Sequence, residues 1–235
     1  MSTINAASPD KVTIRSIFDE IAFRYDFLNA VLSFRMDDGW RKNACRLILE
    51  GREESLLDLG VGTGKFLEHF LKAKTWKRVA GLDFAHEMLA RARKNMPAGP
   101  GWVSGDFHDL PFANASFDLI VSAYTLRSVK NLPLFFRENY RVLAPGGKLA
   151  LLCLTRPKTR AARLLYYPYL NLYIPLVGRL VSGSSRAYSF LSQSIQKFQD
   201  PESTVQIMRE AGFGELKQHS FTLGAATLIV GRKAA

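Results

Sequence analysis

From Ser55 onward the chain alternates two hydrophobic periods, and this alternation restricts the fold more than any other feature. Short, nearly continuous apolar runs, 55-SLLDLG, 78-RVAGLD, 117-FDLIVSA and 147-GKLALLCL, are separated by stretches with helical spacing such as 86-HEMLARARKN and 131-NLPLFFRENYRVL. Strands with apolar residues at successive positions are buried on both faces, which predicts a parallel α/β sheet covered by helices on each side. Ahead of it, Asp10 to Gly51 reads as helical, with Ile14, Ile17, Phe18, Ile21 and Ala22 at helical spacing and Ala44, Leu47 and Ile48 likewise. Behind it, Arg156 to Phe198 breaks the rhythm with the aromatic cluster 164-LLYYPYLNLYIPLVG. A helical pattern, 203-STVQIMREAG, is closed by Gly212, and two strand-like runs follow, 215-ELKQHSFTL and 225-AATLIVGRK. The expected blocks are a helical arm or lid over 1–54, a binding core over 55–155, a hydrophobic basic insert over 156–199, and a helix with a strand pair over 200–235.

The first apolar run leads into 56-LLDLGVGTGKF-66. A phosphate-binding loop needs Gly, four residues, then Gly-Lys and a hydroxyl residue. Here Phe66 follows Gly64-Lys65 and Leu59 stands where the first glycine belongs. The dinucleotide pattern fits Gly60 and Gly62 but meets Lys65 at its third glycine. What remains still lets backbone approach a ligand closely at the carboxyl end of a strand, and it suits a ligand without a pyrophosphate. Asp83 ends the next run, where an acid accepts hydrogen bonds from ribose hydroxyls. In 104-SGDFHDLPF, Asp106 suits an adenine amino group and Phe107 its face. Asp58, at the end of the first run, is placed to face a cationic tail. Together these describe a site for a nucleoside with a positive tail. Each has a plainer reading alone: glycines make turns, and Asp83 also suits a helix cap.

Charge placement adds a second theme. The net charge is +11, and the stretch from Asn139 to Gln199 has no Asp or Glu but carries nine Lys and Arg, among them Arg156, Lys158, Arg160 and Arg163. Such a block seeks a polyanion, either nucleic acid or an anionic membrane face. The uncharged run from Leu164 to Gly178, interrupted by Pro168 and Pro175, is too short to span a bilayer but suits an interfacial lid. Cys45 and Cys153 are too few and too far apart for a disulfide framework or a cysteine metal site, so no metal is expected. The opening 1-MSTINAASPDKV lacks the features of a secretory signal, which predicts a cytoplasmic protein. His69, His86, His108 and His219 are scattered and read as surface or cap residues, with His108 bordering the adenine site.

The glycine loop, Asp83 and Asp106-Phe107, in this order and spacing, resemble the class I S-adenosylmethionine-dependent methyltransferases over Ser55 to Leu154, and 140-YRVLAPGGKL fits the same pattern. Outside that core, 18-FDEIAFRYDFLNAVLSFRMDDGWRK resembles the N-terminal signature of the quinone C-methyltransferases, the demethylmenaquinone and polyprenyl-benzoquinol methylases. The stretch 124-YTLRSVKN resembles that family's Leu-Arg-Asn signature, and 188-YSFLSQSIQKFQD its Tyr-x-Tyr-Leu-x-x-Ser-Ile segment. With 206-QIMREAGF the resemblance runs nearly end to end. Ser128 replaces the family's Asn, Phe190 its second Tyr, Val61 a Gly, Lys65 an acid, and Ala123 a Ser common there. Ser128 is expected beside the acceptor, which leaves the choice of ring open.

The resemblance implies a Rossmann-like fold with a mostly parallel seven-stranded sheet. It implies S-adenosyl-L-methionine as cofactor, bound by Tyr25, Asp58, Gly60, Gly62, Thr63, Gly64, Asp83, Phe84, Asp106, Phe107 and Ala123. It implies C-methylation of a polyprenyl quinol, most simply demethylmenaquinol to menaquinol. Arg127 is then the catalytic cation that favours the quinol phenolate, and Tyr25 acts from an arm that closes over the site with Asp26. Peripheral contact with an anionic membrane on its inner face is expected, and a homodimer is admitted. Benzoquinol methylation, a soluble natural-product methyltransferase and an RNA-binding methyltransferase-like protein stay open as alternatives. The last is disfavoured because the basic block is interleaved with an apolar run rather than set along a groove. Arg127 also suits a structural salt bridge, and Tyr25 helix packing.

Overall fold

The computed structural model describes residues 25–157, 159–173, 176 and 200–235. Ile14, Ile17, Phe18, Ile21 and Ala22, read above at helical spacing, lie outside the described residues, as do Lys158, Arg179, Arg186, Lys197 and the 188–199 segment. Within the described part the arm consists of two helices, α1 (Tyr25–Leu32) and α2 (Met36–Ile48). Phe34 and Arg35 stand between them at φ 52° and 62°, a left-handed corner that a right-handed helix cannot carry through. Ser33 secures the turn, because its Oγ accepts the Asp37 amide at 3.3 Å and donates to Asp37 Oδ1 at 2.6 Å. Helix α2 buries Trp40, Ala44, Cys45 and Ile48, whereas Leu47, grouped with them by spacing, faces solvent.

The central sheet holds β1 (Ser55–Leu59), β2 (Arg78–Asp83), β3 (Gly101–Ser104), β4 (Phe117–Ala123), β5 (Leu143–Leu154), β6 (Gly214–Phe221) and β7 (Ala226–Arg232). Their order is β3-β2-β1-β4-β5-β7-β6. The first five neighbours are parallel, and β7 runs antiparallel to both β5 and β6. The fifth strand begins four residues earlier than its apolar run, at Leu143, and its register against β4 shifts between Phe117 and Leu119. Helices α3 (Lys65–Ala73), α4 (His86–Asn95), α5 (Leu132–Val142), α6 (Arg160–Pro168) and α7 (Pro201–Glu210) complete the described architecture. Asn131 caps α5 by accepting the Leu134 amide, and Asp200 caps α7 by accepting that of Ser203.

The continuous apolar runs now have their reason. Successive residues of one strand serve opposite faces. Leu57, Leu59, Ile120, Leu149 and Leu151 pack with Phe135, Phe136, Met208 and Phe213 under α5 and α7. Leu56, Leu119, Val121, Ala150 and Leu152 pack with Trp40, Ile48, Phe66, Phe70 and Leu89 on the other side. The chain builds β1 to β3 outward in one direction and then returns to lay β4 against β1. The strand order reverses there, and such a reversal opens a crevice at the carboxyl ends of the strands. Among the described residues no helix is long and apolar enough to cross a membrane.

A buried ion pair joins α2 to the sheet. Lys148 Nζ donates to Glu53 Oε1 and to the Ile48 carbonyl, each at 2.6 Å, and Glu53 also accepts the Glu50 and Gly51 amides. Burial pushes the Glu53 carboxyl up, but Lys148 and the backbone amides outweigh it and hold it below the ordinary carboxylate range. A depressed carboxyl contributes stability above its unfolded pKa and loses that contribution as pH falls through the folded value. Glu53→Ala should therefore cost about 3–5 kcal/mol at pH 7, because it leaves a buried ammonium without its main counter-charge. Urea titration measures the loss, and the gap to wild type should narrow as the pH falls below about 4.

Candidate active site

The crevice at the reversal holds two cavities. The first is a narrow cleft lined by Gly60, Gly62, Asp83, Phe84, Met88, Phe107, Ala123, Tyr124, Thr125 and Ser128. Three strand ends build it, since Gly60 follows β1, Asp83 ends β2 and Ala123 ends β4. The Gly60 and Val61 amides donate to the Leu82 carbonyl at 2.7 and 3.1 Å, which bends the chain over the end of β2. A Cβ on Gly60 would overlap the Thr125 side chain, so close packing requires that glycine. A Cβ on Gly62, at φ 56°, would meet nothing nearer than the Gly60 carbonyl at 4.0 Å, so space for a ligand is open at that point.

Asp83 spends both oxygens locally. Oδ2 accepts the Gly62 amide and Oδ1 the Ala85 amide, each at 2.9 Å. A carboxylate oxygen carries two lone pairs, so an acid that shapes the loop is chemically suited to ribose hydroxyls as well. Phe84 and Phe107 meet edge to face, with ring centroids 5.9 Å apart at 88°. Asp106 is not among the residues lining the cleft, and its Oδ1 accepts the His108 amide at 3.0 Å and meets His108 Nδ1 at 2.7 Å. Thr63 and Gly64 are also absent from the cleft wall. The Thr63 hydroxyl donates to Asp26 Oδ1 at 2.8 Å, which brings the arm onto the glycine loop, and a Cβ on Gly64 would overlap Met96.

Asp58 lies beneath the loop at 1% exposure, and neither oxygen makes a hydrogen bond of good geometry. Burial pushes its carboxyl well above the ordinary range, and the neighbouring Asp83 charge adds to this; Arg41 and the Leu67 amide oppose it weakly. A buried acid without a donor is costly, and a ligand cation brought beside it would relieve that cost. The residues present thus fit a nucleoside with a positive tail: an open glycine, an acid at the ribose position, two aromatic rings and an unsatisfied carboxylate.

The second cavity is an apolar chamber of about 240 Å³. Its wall includes Leu32, Met36, Trp40, Leu154, Pro157, Ala162, Leu223, Ala225, Tyr124, Tyr166 and Tyr169, with Asn29, Ser33, Asp37, Arg127 and Thr222 as polar points. The tyrosine hydroxyls donate to backbone, Tyr166 to Thr155 at 3.0 Å and Tyr169 to Leu32 at 2.5 Å. Burial pushes the Tyr166 phenol up to about 12 and that of Tyr169 higher still, so both stay neutral. Trp40 Nε1 donates to Thr222 Oγ1 at 2.9 Å. Arg127 enters from a short 3-10 turn, Leu126–Ser128, and its Nε donates to the Tyr124 carbonyl at 3.1 Å. Arg41 Nη1 reaches Asp37 Oδ2 at 2.5 Å, and its guanidinium lies 4.9 Å above the Tyr124 ring.

Ser128 is among the residues lining the cleft and not among those lining the chamber. The backbone of Tyr25 opens α1, but its side chain lies outside the described residues. Sequence reasoning missed Asp37, Arg41, Tyr124 and the tyrosines of α6 and the turn after it. The Asp37–Arg41 spacing of four is the signal that was available, since such a pair shares one helix face.

The Asp58 environment makes a test of this geometry. An acid whose folded pKa is raised destabilises the fold as pH climbs from the ordinary carboxylate range through the folded value. Asp58→Asn should melt above wild type at neutral pH without ligand, by a stability gain on the order of 1–3 kcal/mol. The difference should vanish below about pH 4, where the acid is protonated folded or unfolded. Thermal melts across this range, with no gain at neutral pH, would remove the strain assigned to Asp58.

The profile of the ubiE/COQ5 methyltransferase family matches residues 5–233. The demethylmenaquinone methyltransferase of Thermotoga maritima is 38% identical over 216 residues, 92% of this chain and 93% of that one. That of Thermus thermophilus is 37% identical, over 92% and 99%. The ubiquinone/menaquinone biosynthesis C-methyltransferase UbiE of Geotalea daltonii is 35% identical, over 94% and 96%. In fold, the chain is similar to a SAM-dependent methyltransferase of Thermotoga maritima (TM-score 0.67, 22% identity, 94% of this chain and 99% of that one). It is also similar to an O-methyltransferase family protein of Burkholderia thailandensis (TM-score 0.65, 17% identity, 90% and 60%). A profile match across almost the whole sequence, with relatives of this identity over nine-tenths of it, places the chain in the ubiE/COQ5 methyltransferase family.

Proposed function

We propose that the chain moves a methyl group from S-adenosylmethionine to a ring carbon of a polyprenylated quinol, most simply demethylmenaquinol. One observation carries this reading: a glycine-lined nucleoside cleft and an apolar chamber holding Arg127 share a wall at Tyr124. S-adenosylmethionine, when bound, supplies an electrophilic sulfonium methyl. The chain's own part is placement and charge. Asp58, with Asp83 above it, is set to hold the cationic tail and the ribose. The chamber excludes water around a flat aromatic acceptor, and Arg127 favours the phenolate that makes the ring carbon nucleophilic. Relatives named for both ubiquinone and menaquinone biosynthesis favour a benzoquinol ring as the second reading.

The test is a turnover assay with S-adenosylmethionine and chemically reduced demethylated naphthoquinone or benzoquinone, with product mass as readout. The expected product carries one added methyl on carbon. Arg127→Ala should lower turnover far more than cofactor affinity, because its charge matters chiefly in the transition state. Equal turnover in a folded variant removes that role.

Membrane contact belongs to the same reading. Exposed apolar side chains sit on the elements that wall the chamber: Phe34 at 61% and Leu223 at 76% on left-handed corners, Leu164 on α6 and Leu172 in the turn after it. Phe34 stacks on Tyr173 at 5.0 Å, so the corner and the insert form one surface. Arg156, Arg160 and Arg163 are exposed beside it. An apolar rim with flanking cations suits an anionic bilayer that delivers a long-tailed acceptor, at about 1 kcal/mol per cation near the surface. Pelleting with anionic vesicles should exceed that with neutral ones and should fall with salt. Neutralising Arg156, Arg160 and Arg163 together should abolish the difference; equal pelleting by wild type would reduce the rim to a plain hydrophobic lid.

A further inference from the structure

We infer that Tyr124 is the positioning residue for methyl transfer: its ring, clamped by Arg41, is the partition that sets how closely acceptor and donor approach. Among the described residues it alone lines both cavities. The inference rests on the reading above only for the identity of the acceptor.

The backbone at this point is unusual. Tyr124 follows β4 at φ 61°, a conformation costly for any residue with a Cβ. Glycine would adopt it without strain, so the side chain is kept at a position that penalises it. Two bonds hold the conformation. The Tyr124 amide donates to the Leu152 carbonyl at 2.7 Å, and its carbonyl receives Arg127 Nε at 3.1 Å. The placement of Arg127 is therefore tied to the backbone that directs the Tyr124 ring.

The ring is held from the arm. Arg41 lies 4.9 Å over its face, and the phenol donates to the Asp37 carbonyl at 3.3 Å. Arg41 is buried and fixed by Asp37, which Ser33 fixes in turn. This chain begins at the left-handed corner between α1 and α2 and ends at the shared wall. Methyl transfer needs donor and acceptor atoms in line at near-contact distance, and a displacement of about 1 Å can cost about a hundredfold in rate. A clamped flat wall between the cavities supplies that constraint.

Tyr124→Gly and Tyr124→Ala separate positioning from stability. Glycine relieves the backbone strain, so Tyr124→Gly should melt above Tyr124→Ala, while both lose about a hundredfold in kcat. Tyr124→Phe keeps the ring and should keep kcat close to wild type. Calorimetry should find S-adenosylhomocysteine affinity reduced far less than kcat in Tyr124→Gly and Tyr124→Ala, because the cleft keeps Gly62, Asp83 and Phe107. Binding of menadione, a tail-less naphthoquinone probe, should change at least about fivefold when S-adenosylhomocysteine is present, and Tyr124→Gly should erase that linkage. This second readout needs no turnover. An inactive wild type on every quinol offered, with the linkage intact, sinks the quinol reading alone. Unchanged kcat in Tyr124→Gly, equal menadione affinity with and without S-adenosylhomocysteine in wild type, or loss of S-adenosylhomocysteine affinity in step with kcat overturns the role of Tyr124.

Discussion

The Asp83 carboxylate holds the glycine loop in place by accepting the Gly62 amide with one oxygen and the Ala85 amide with the other. That pair of bonds joins the end of β1 to the start of α4 across the end of β2. The loop it shapes leaves Gly62 facing open space and seals Asp58 below, away from solvent and from any donor of good geometry. Without this tie the loop would lose the form that makes a cleft. The buried Asp58 carboxylate carries a cost of its own, and under the proposed function a bound cation would offset it, a trade of stability for binding.

The apolar chamber depends on a different kind of joint. Its wall comes from α1, α2, the end of β5, α6 and the turn between β6 and β7, elements far apart in the chain. Three single hydrogen bonds join these elements in pairs: Tyr169, just after α6, to Leu32 of α1, Trp40 of α2 to Thr222, and Tyr166 of α6 to Thr155. In the reaction proposed, a phenolate and a sulfonium meet and their charges cancel. A chamber of neutral phenols and apolar chains, with Arg127 near the acceptor and Asp37 neutralised by Arg41, leaves little competing charge. Burial raises the Asp37 carboxyl, but Arg41 and Ser33 outweigh it and keep it ionised, so the pair stays a pair across the working pH range.

Much of the fold is legible in the sequence. Runs such as 78-RVAGLD and 117-FDLIVSA coincide with β2 and β4, because strands buried on both faces need apolar residues throughout and stop at polar or glycine punctuation. The pattern 86-HEMLARARKN coincides with α4. The corner at Phe34-Arg35 was not legible: neither residue is a glycine, and nothing local marks a left-handed turn there. Leu47 likewise fits a helical stripe, yet the helix turns it outward because Trp40, Ala44 and Ile48 define the face that meets the sheet.

Site residues divide the same way. Motif spacing alone pointed to a crevice at the end of the first strand, and Gly60, Gly62, Asp83 and Phe107 do line one cleft there, because short loops after a strand fix their residues locally. Tertiary structure alone decided that Asp106 turns to His108, that Thr63 serves Asp26, and that Ser128 lies on the cleft side. It alone decided that Tyr124 stands between the cavities with Arg41 above it. Those outcomes rest on which distant element supplies the nearest donor, acceptor or charge, and periodicity along a chain carries no record of that.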